Sequence, residues 1–146
     1  MVVLGIDTLG DRLRFRRSEW GAAVATALFG FNLIEPYPTF GDPCWAGIPA
    51  WASDTTWGRG ALALGLIRLG VLIYNGRWRK CSHARMALAG LNCFFWAALV
   101  LGALGAGTYP AGFAPYLVFF AMDLHTIYEA GADARLVDEA HRARPA

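Results

Sequence analysis

The sequence predicts an all-α fold, a four-transmembrane-helix bundle with both termini cytoplasmic. Three features predict it: an apolar composition, four long apolar runs, and basic residues gathered on one side of those runs. Hydrophobic residues make up 56% of the 146-residue chain and charged ones only 16%, with a mean hydropathy of +0.37. That is far from the balance of a soluble domain of this size. One transmembrane domain (1–130) and a short charged cytoplasmic tail (131–146) account for the length. The formal net charge of +2 is too small to suggest nucleic acid as a partner.

The first span, about 18–35, is built on "WGAAVATALFGFNLI". It is short for a bilayer, since roughly 20 residues are needed to cross ~30 Å, and it crosses only if Ser18, Glu19 and Glu35 sit at the interfaces. The remaining spans are expected at about 57–75, 86–105 and 112–129. All should be helices, because only a helix or a closed barrel satisfies every backbone donor in hydrocarbon, and these runs lack the alternation of barrel strands.

Orientation follows from the basic residues. Arg14, Arg16 and Arg17, with Arg12, precede the first span; Arg77, Arg79, Lys80 and Arg85 lie between the second and third; Arg135, Arg142 and Arg144 follow the fourth. These three segments fall on one side, which the positive-inside rule assigns to the cytoplasm. The opposite connections hold Glu35, Asp42 and Asp54, with Arg59 at a helix mouth. Trp20, Trp57, Trp78, Tyr74, Tyr109 and Tyr128 fall near helix ends, where amphipathic rings favour the headgroup level.

A cleavable signal would also explain "RFRR", an apolar run and "IPAWAS". A proline-rich stretch separates Ile34 from Ala50, however, so the first helix is expected to be retained. The connection Glu35 to Trp57 is too aromatic for a solvated linker. Its rings should lie on the membrane surface or fold over the helix ends, with a short interfacial helix around 46–52. Cys44, Cys81 and Cys93 fall in three different compartments, which disfavours an internal disulfide.

Depth places the polar residues of the spans. Arg68 lies six residues before Tyr74 and Asp123 five before Tyr128, so each sits roughly 8 to 10 Å from its cytoplasmic end. Asn92, six residues after Met86, reaches the same level. A lipid-facing Arg68 would cost several kcal/mol, and the small residues Ala61 and Gly65 on its stripe allow close helix approach. Arg68, Asn92 and Asp123 are therefore expected to form one intramembrane polar cluster. Such a cluster reads either as a device that fixes helix register or as part of an ion path, and Arg68 could instead snorkel toward headgroups. A fixed ion pair suits assembly better than proton shuttling.

His125 and Glu129 stand at i and i+4 near the end of the fourth span, a secondary polar face with Asp133 one turn beyond. Their spacing can bind a metal, but no second histidine shares the face, and local ion pairing is the expected role. No phosphate loop, nucleophile elbow, zinc-protease motif or carboxylate pair at a mouth occurs, so neither catalysis nor a cofactor is expected.

The pattern "RFRRSEW" before the first span, "WGRGALALGLIRLGVLIYNGRWR" through the second, Trp96 within the third and "MDLHTIYEAGADAR" closing the fourth resembles a group of small phage- and prophage-encoded integral membrane proteins. The resemblance covers most of the chain. It implies a phage or prophage origin and a multi-pass location in the bacterial inner membrane, without naming an activity. Two classes of function stay open. One is a non-enzymatic protein acting by self-assembly or by contacting a host or virion protein, in a holin-like or exclusion-type role. The other is a small transporter or channel using the Arg/Asn/Asp layer.

Overall fold

The computed structural model describes residues 17–34, 45, 52–77, 82–107 and 112–142. Within them the protein is all-helical, with four helices and no strands: α1 (Arg17–Ile34), α2 (Asp54–Arg77), α3 (Ser82–Gly105) and α4 (Phe113–Arg142). Arg14, Arg16, Arg79, Lys80, Cys44, Cys81 and the interfacial helix expected around 46–52 lie outside the described residues, apart from Ala52, which precedes α2. Arg17 opens α1 as an exposed side chain, and Arg77 is the last residue of α2.

Local sequence explains the boundaries. Ala22, Ala23, Ala25 and Ala27 make α1 a strong helix former. Ser53 caps α2, its Oγ accepting a hydrogen bond from the Thr56 backbone N–H at 3.3 Å, and Asp54 complements the positive end of the helix dipole. At the end of α3, Gly107 adopts a positive φ of 68°. Its N–H turns back to the Leu104 carbonyl at 3.0 Å, a left-handed termination that glycine makes easily. Pro115 falls in the first turn of α4, where its missing N–H breaks no helical bond.

Two boundaries differ from the sequence expectation. The third helix starts at Ser82 rather than near 86, so Arg85 belongs to the helix and not to a loop. The fourth continues to Arg142, which turns most of the expected tail into helix and makes α4 about 45 Å long at 1.5 Å per residue.

The helices run up and down, α1 packing along α2 and α3 along α4, and the two hairpins meet through α2 with α3 and α1 with α4. Glycine sets the first crossing. A Cβ on Gly30 would lie 2.7 Å from the Gly58 carbonyl oxygen, and one on Gly65 only 2.6 Å from the Ala27 nitrogen, so the α1 and α2 backbones touch where any side chain would push them apart.

Aromatic rings fill the end of the bundle where α1 and α3 finish. Phe29 meets Phe95, Trp96 and Tyr116 edge-on at 5.9, 5.6 and 5.6 Å, and Trp96 stacks on Phe119 at 4.9 Å. Trp45, from the long connection, is buried against Tyr116. Of the two placements open to that connection's rings, Trp45 takes the fold over the helix ends. Two helices, over Asp54–Tyr74 and Ser82–Gly105, are long and apolar enough to cross a membrane.

Candidate functional site

Below the aromatic end, the bundle interior is polar in two layers. The first joins all four helices. Arg68 on α2 forms an ion pair with Asp123 on α4 through Nη1 and Oδ1. Asn92 on α3 donates from Nδ2 to the other carboxylate oxygen, Oδ2, at 2.6 Å. Thr26 on α1 closes the set, with Oγ1 2.8 Å from Asn92 Oδ1 and 2.8 Å from the Ala22 carbonyl; its single proton serves one of these acceptors at a time. Arg68 is 3% exposed and Asp123 0%. The contact between Arg68 and Asp123 is made at one point, and Arg68 Nη2 finds no hydrogen-bond acceptor among the described residues.

The second layer lies one or two turns nearer the start of α1. Arg85 on α3 grips Glu19 on α1 with two nitrogens, Nε donating to Oε2 at 3.0 Å and Nη2 to Oε1, and donates from Nη1 to Asp133 Oδ2 on α4 at 3.0 Å. Glu19 is 1% exposed, whereas the Asp133 side chain is 46% exposed. This layer therefore runs from the bundle axis out to the surface. A fork of parallel hydrogen bonds is the strongest way a guanidinium meets a carboxylate, and the extra bond to Asp133 uses the remaining nitrogen.

The two layers repeat along a shared axis. Glu19 pairs with Arg85 and Thr26 with Asn92, both at a sequence separation of 66, and Phe29 meets Phe95 at the same offset. A constant offset means that α1 and α3 run parallel and in register across the bundle. From Arg85 to Asn92 is seven residues, about 10 Å along the helix, and Trp96 stands one turn further. The Trp96 indole N–H is buried with no acceptor among the described residues, so the aromatic layer closes the polar ones off from the far end.

The structure thus brings the expected trio Arg68, Asn92 and Asp123 together and adds Thr26 to it. It also shows two other residues turned inward. Glu19, expected at a membrane interface, is enclosed by the helices at the first turn of α1. Arg85, counted among the basic residues of a cytoplasmic loop, lies inside the bundle because α3 begins a turn earlier and leaves Glu19 as its only deeply buried carboxylate partner. The sequence carried a signal for this second layer. Arg85, Ala89, Asn92, Trp96 and Leu99 share one helical stripe, and Glu19 stands seven residues before Thr26 just as Arg85 does before Asn92. His125 and Glu129 approach to 3.7 Å on a surface where both side chains are exposed, as do His83 and Asp138 between α3 and α4. Among the described residues no three His, Cys, Asp or Glu side chains converge as a metal site would require.

Compared with known proteins, the chain matches no family model, no curated protein and no solved structure.

Proposed function

We propose that this chain is a non-enzymatic, four-span membrane protein with both termini cytoplasmic, which acts by self-assembly or by contacting a membrane or virion partner. One observation carries the reading: the bundle has charge inside and apolar surface outside on every helix. Arg68, Asp123, Glu19 and Arg85 are buried, while Leu28 and Phe31 on α1, Ile67 and Ile73 on α2, Phe94 and Leu101 on α3, and Val118 and Leu124 on α4 are about half exposed or more. Water would select the opposite arrangement, and large apolar side chains exposed on all four helices at once mark a membrane or protein contact. On α1 and α4 the inward-facing Glu19, Thr26 and Asp123 account for part of the polar composition, and exposed Arg17, Asn32, His125 and Glu129 account for more of it.

The polar interior favours assembly over transport. A transport site needs a carboxylate free to load and release, whereas Asp123 and Glu19 are each committed to an arginine. In this reading the exposed belt is solvated by lipid and by further copies of the chain or a partner, in the inner membrane of a bacterial host. A phage or prophage origin would make the biological role lysis control or the exclusion of competing phage.

Carbonate extraction of membranes from expressing cells tests the span reading; protein released with the soluble fraction would overturn it. In a Cys93→Ala background an impermeant thiol reagent should label Cys44 in intact cells and spare Cys81, and the reverse labelling would invert the topology. The two roles then separate in culture: timed lysis on induction supports the holin-like one, and reduced infection by challenge phage without lysis supports exclusion.

A further inference from the structure

The α2 and α3 helices leave a cleft between them. It lies in the half of the bundle nearer the start of α2, has a volume of about 420 Å³ and is lined by Trp57, Gly60, Leu64, Leu91, Phe94 and Phe95. Leu91 and Phe94 are 58% and 61% exposed, so the cleft is continuous with the apolar belt and opens sideways through it. Both helices are the ones whose length and composition suit a membrane crossing. Whatever enters therefore arrives from the bilayer. Its walls are almost wholly hydrocarbon and aromatic, with Trp57 held against Phe95 at a ring separation of 5.9 Å. The polar side chain in the lining is Thr56, whose hydroxyl lies 2.9 Å from Ser53 Oγ. Arg59, beside Gly60 in sequence, is exposed at this mouth of the helix, and the nearby carboxylate of Asp54 already has an interaction of its own.

We infer that the α2–α3 cleft binds a single anionic phospholipid, one acyl chain lying between Gly60, Leu64, Leu91 and Phe94 and the phosphate facing exposed Arg59. This rests on the membrane-spanning reading. A groove lined by apolar side chains with a cation beside its mouth matches an amphiphile with a hydrocarbon tail and an anionic head. A Cβ on Gly60 would meet nothing within 4 Å, so a side chain can be added there freely.

That same feature supplies the test, because Gly60→Leu fills the cleft without a clash and raises helix propensity. The protein is reconstituted in vesicles of phosphatidylethanolamine and phosphatidylglycerol containing trace phosphatidylglycerol with a photoreactive acyl chain. Adducts should concentrate on Leu64, Leu91 and Phe94, and Gly60→Leu should remove most of them while leaving the melting temperature unchanged or higher. Arg59→Gln should lower the preference for phosphatidylglycerol over phosphatidylethanolamine about fivefold, the worth of one basic residue near an anionic surface. Labelling spread evenly over the belt, including Leu28 and Leu117, would overturn the inference, as would labelling that survives Gly60→Leu. So would a cross-linked dimer through Phe94→Cys that excludes the lipid, since the occupant would then be a second copy. Protein that resists carbonate extraction but labels evenly fails this inference alone; protein that is not retained in membranes fails the span reading as well.

Discussion

The two buried layers solve the same problem with unequal thoroughness. In the layer nearer the start of α1, Arg85 spends all three guanidinium nitrogens on carboxylates, two on Glu19 and one on Asp133. In the deeper layer, Arg68 touches Asp123 at one point and leaves Nη2 without an acceptor, while Asn92 takes the other oxygen of Asp123. The Arg85 layer is a three-helix clamp reaching the surface through half-exposed Asp133. The Arg68 layer joins four helices and is sealed beneath the aromatic rings. A clamp with full geometry is built to hold α1 against the α3–α4 hairpin. A layer with a spare donor specifies helix rotation at a higher cost per charge, because a buried guanidinium nitrogen without an acceptor forfeits its hydration.

The largest effect should come from breaking the clamp. Arg85→Leu leaves Glu19 fully buried and unpaired, and removing one side of a buried pair costs about 3–5 kcal/mol. Unfolding in mixed micelles should show a loss in that range, with α1 separating first, seen as cysteine reactivity at a Thr26→Cys reporter. Arg85→Lys should recover only part, since an ammonium cannot reproduce the fork. A loss near zero for Arg85→Leu would mean that Glu19 reaches water, and the two layers would no longer rank as the geometry ranks them.

The deeper layer should respond less to paired removal than to single removal. Arg68→Leu strands Asp123, but Arg68→Leu with Asp123→Leu should regain much of the loss, because a buried pair is often worth little net while half of one is costly. A double variant as unstable as the sum of the singles would refute the pairing. A stable double variant that fails in the lysis or exclusion assay would make the layer functional, and one that keeps both would leave it a register device.

Which layer was legible from sequence follows from where its residues fall. Arg68, Asn92 and Asp123 interrupt apolar runs at matching depth, so each stands out and the three select one another. Glu19 and Arg85 fall at the ends of their runs, where polar residues are expected in any case, and the one mark of their burial is the helical stripe and seven-residue spacing they share with Asn92 and Thr26. Thr26 was hidden for another reason: its hydroxyl can bond the Ala22 carbonyl of its own helix, so it carries no sign of a partner elsewhere. Asp133 was read as tail because the sequence past Tyr128 is polar, yet that polarity belongs to a helix that continues to Arg142. The up-and-down arrangement could be read from run lengths, whereas the parallel register of α1 and α3 became visible only through the repeated separation of 66.

The smallest expected effect carries information of a different kind. His125 and Glu129 form an i, i+4 contact at 3.7 Å with side chains 62% and 45% exposed, only two and six residues beyond Asp123, yet on the outward side of α4 beside exposed Leu124 and Tyr128. In water such a pair contributes about 0.3–0.5 kcal/mol, falling with salt. Glu129→Gln should therefore change stability by no more than that in vesicles, and added salt should shrink the difference further. This outcome places the water boundary of α4 at or before His125, so that the deeper layer, centred on Asp123, lies just inside the membrane and the clamp at Asp133 lies in the interface. A larger, salt-insensitive effect would put the pair in a low-dielectric surrounding and move the boundary outward by at least the turn that carries Glu129. The clamp would then be more fully desolvated than half-exposed Asp133 indicates, and the cost of Arg85→Leu should rise with it.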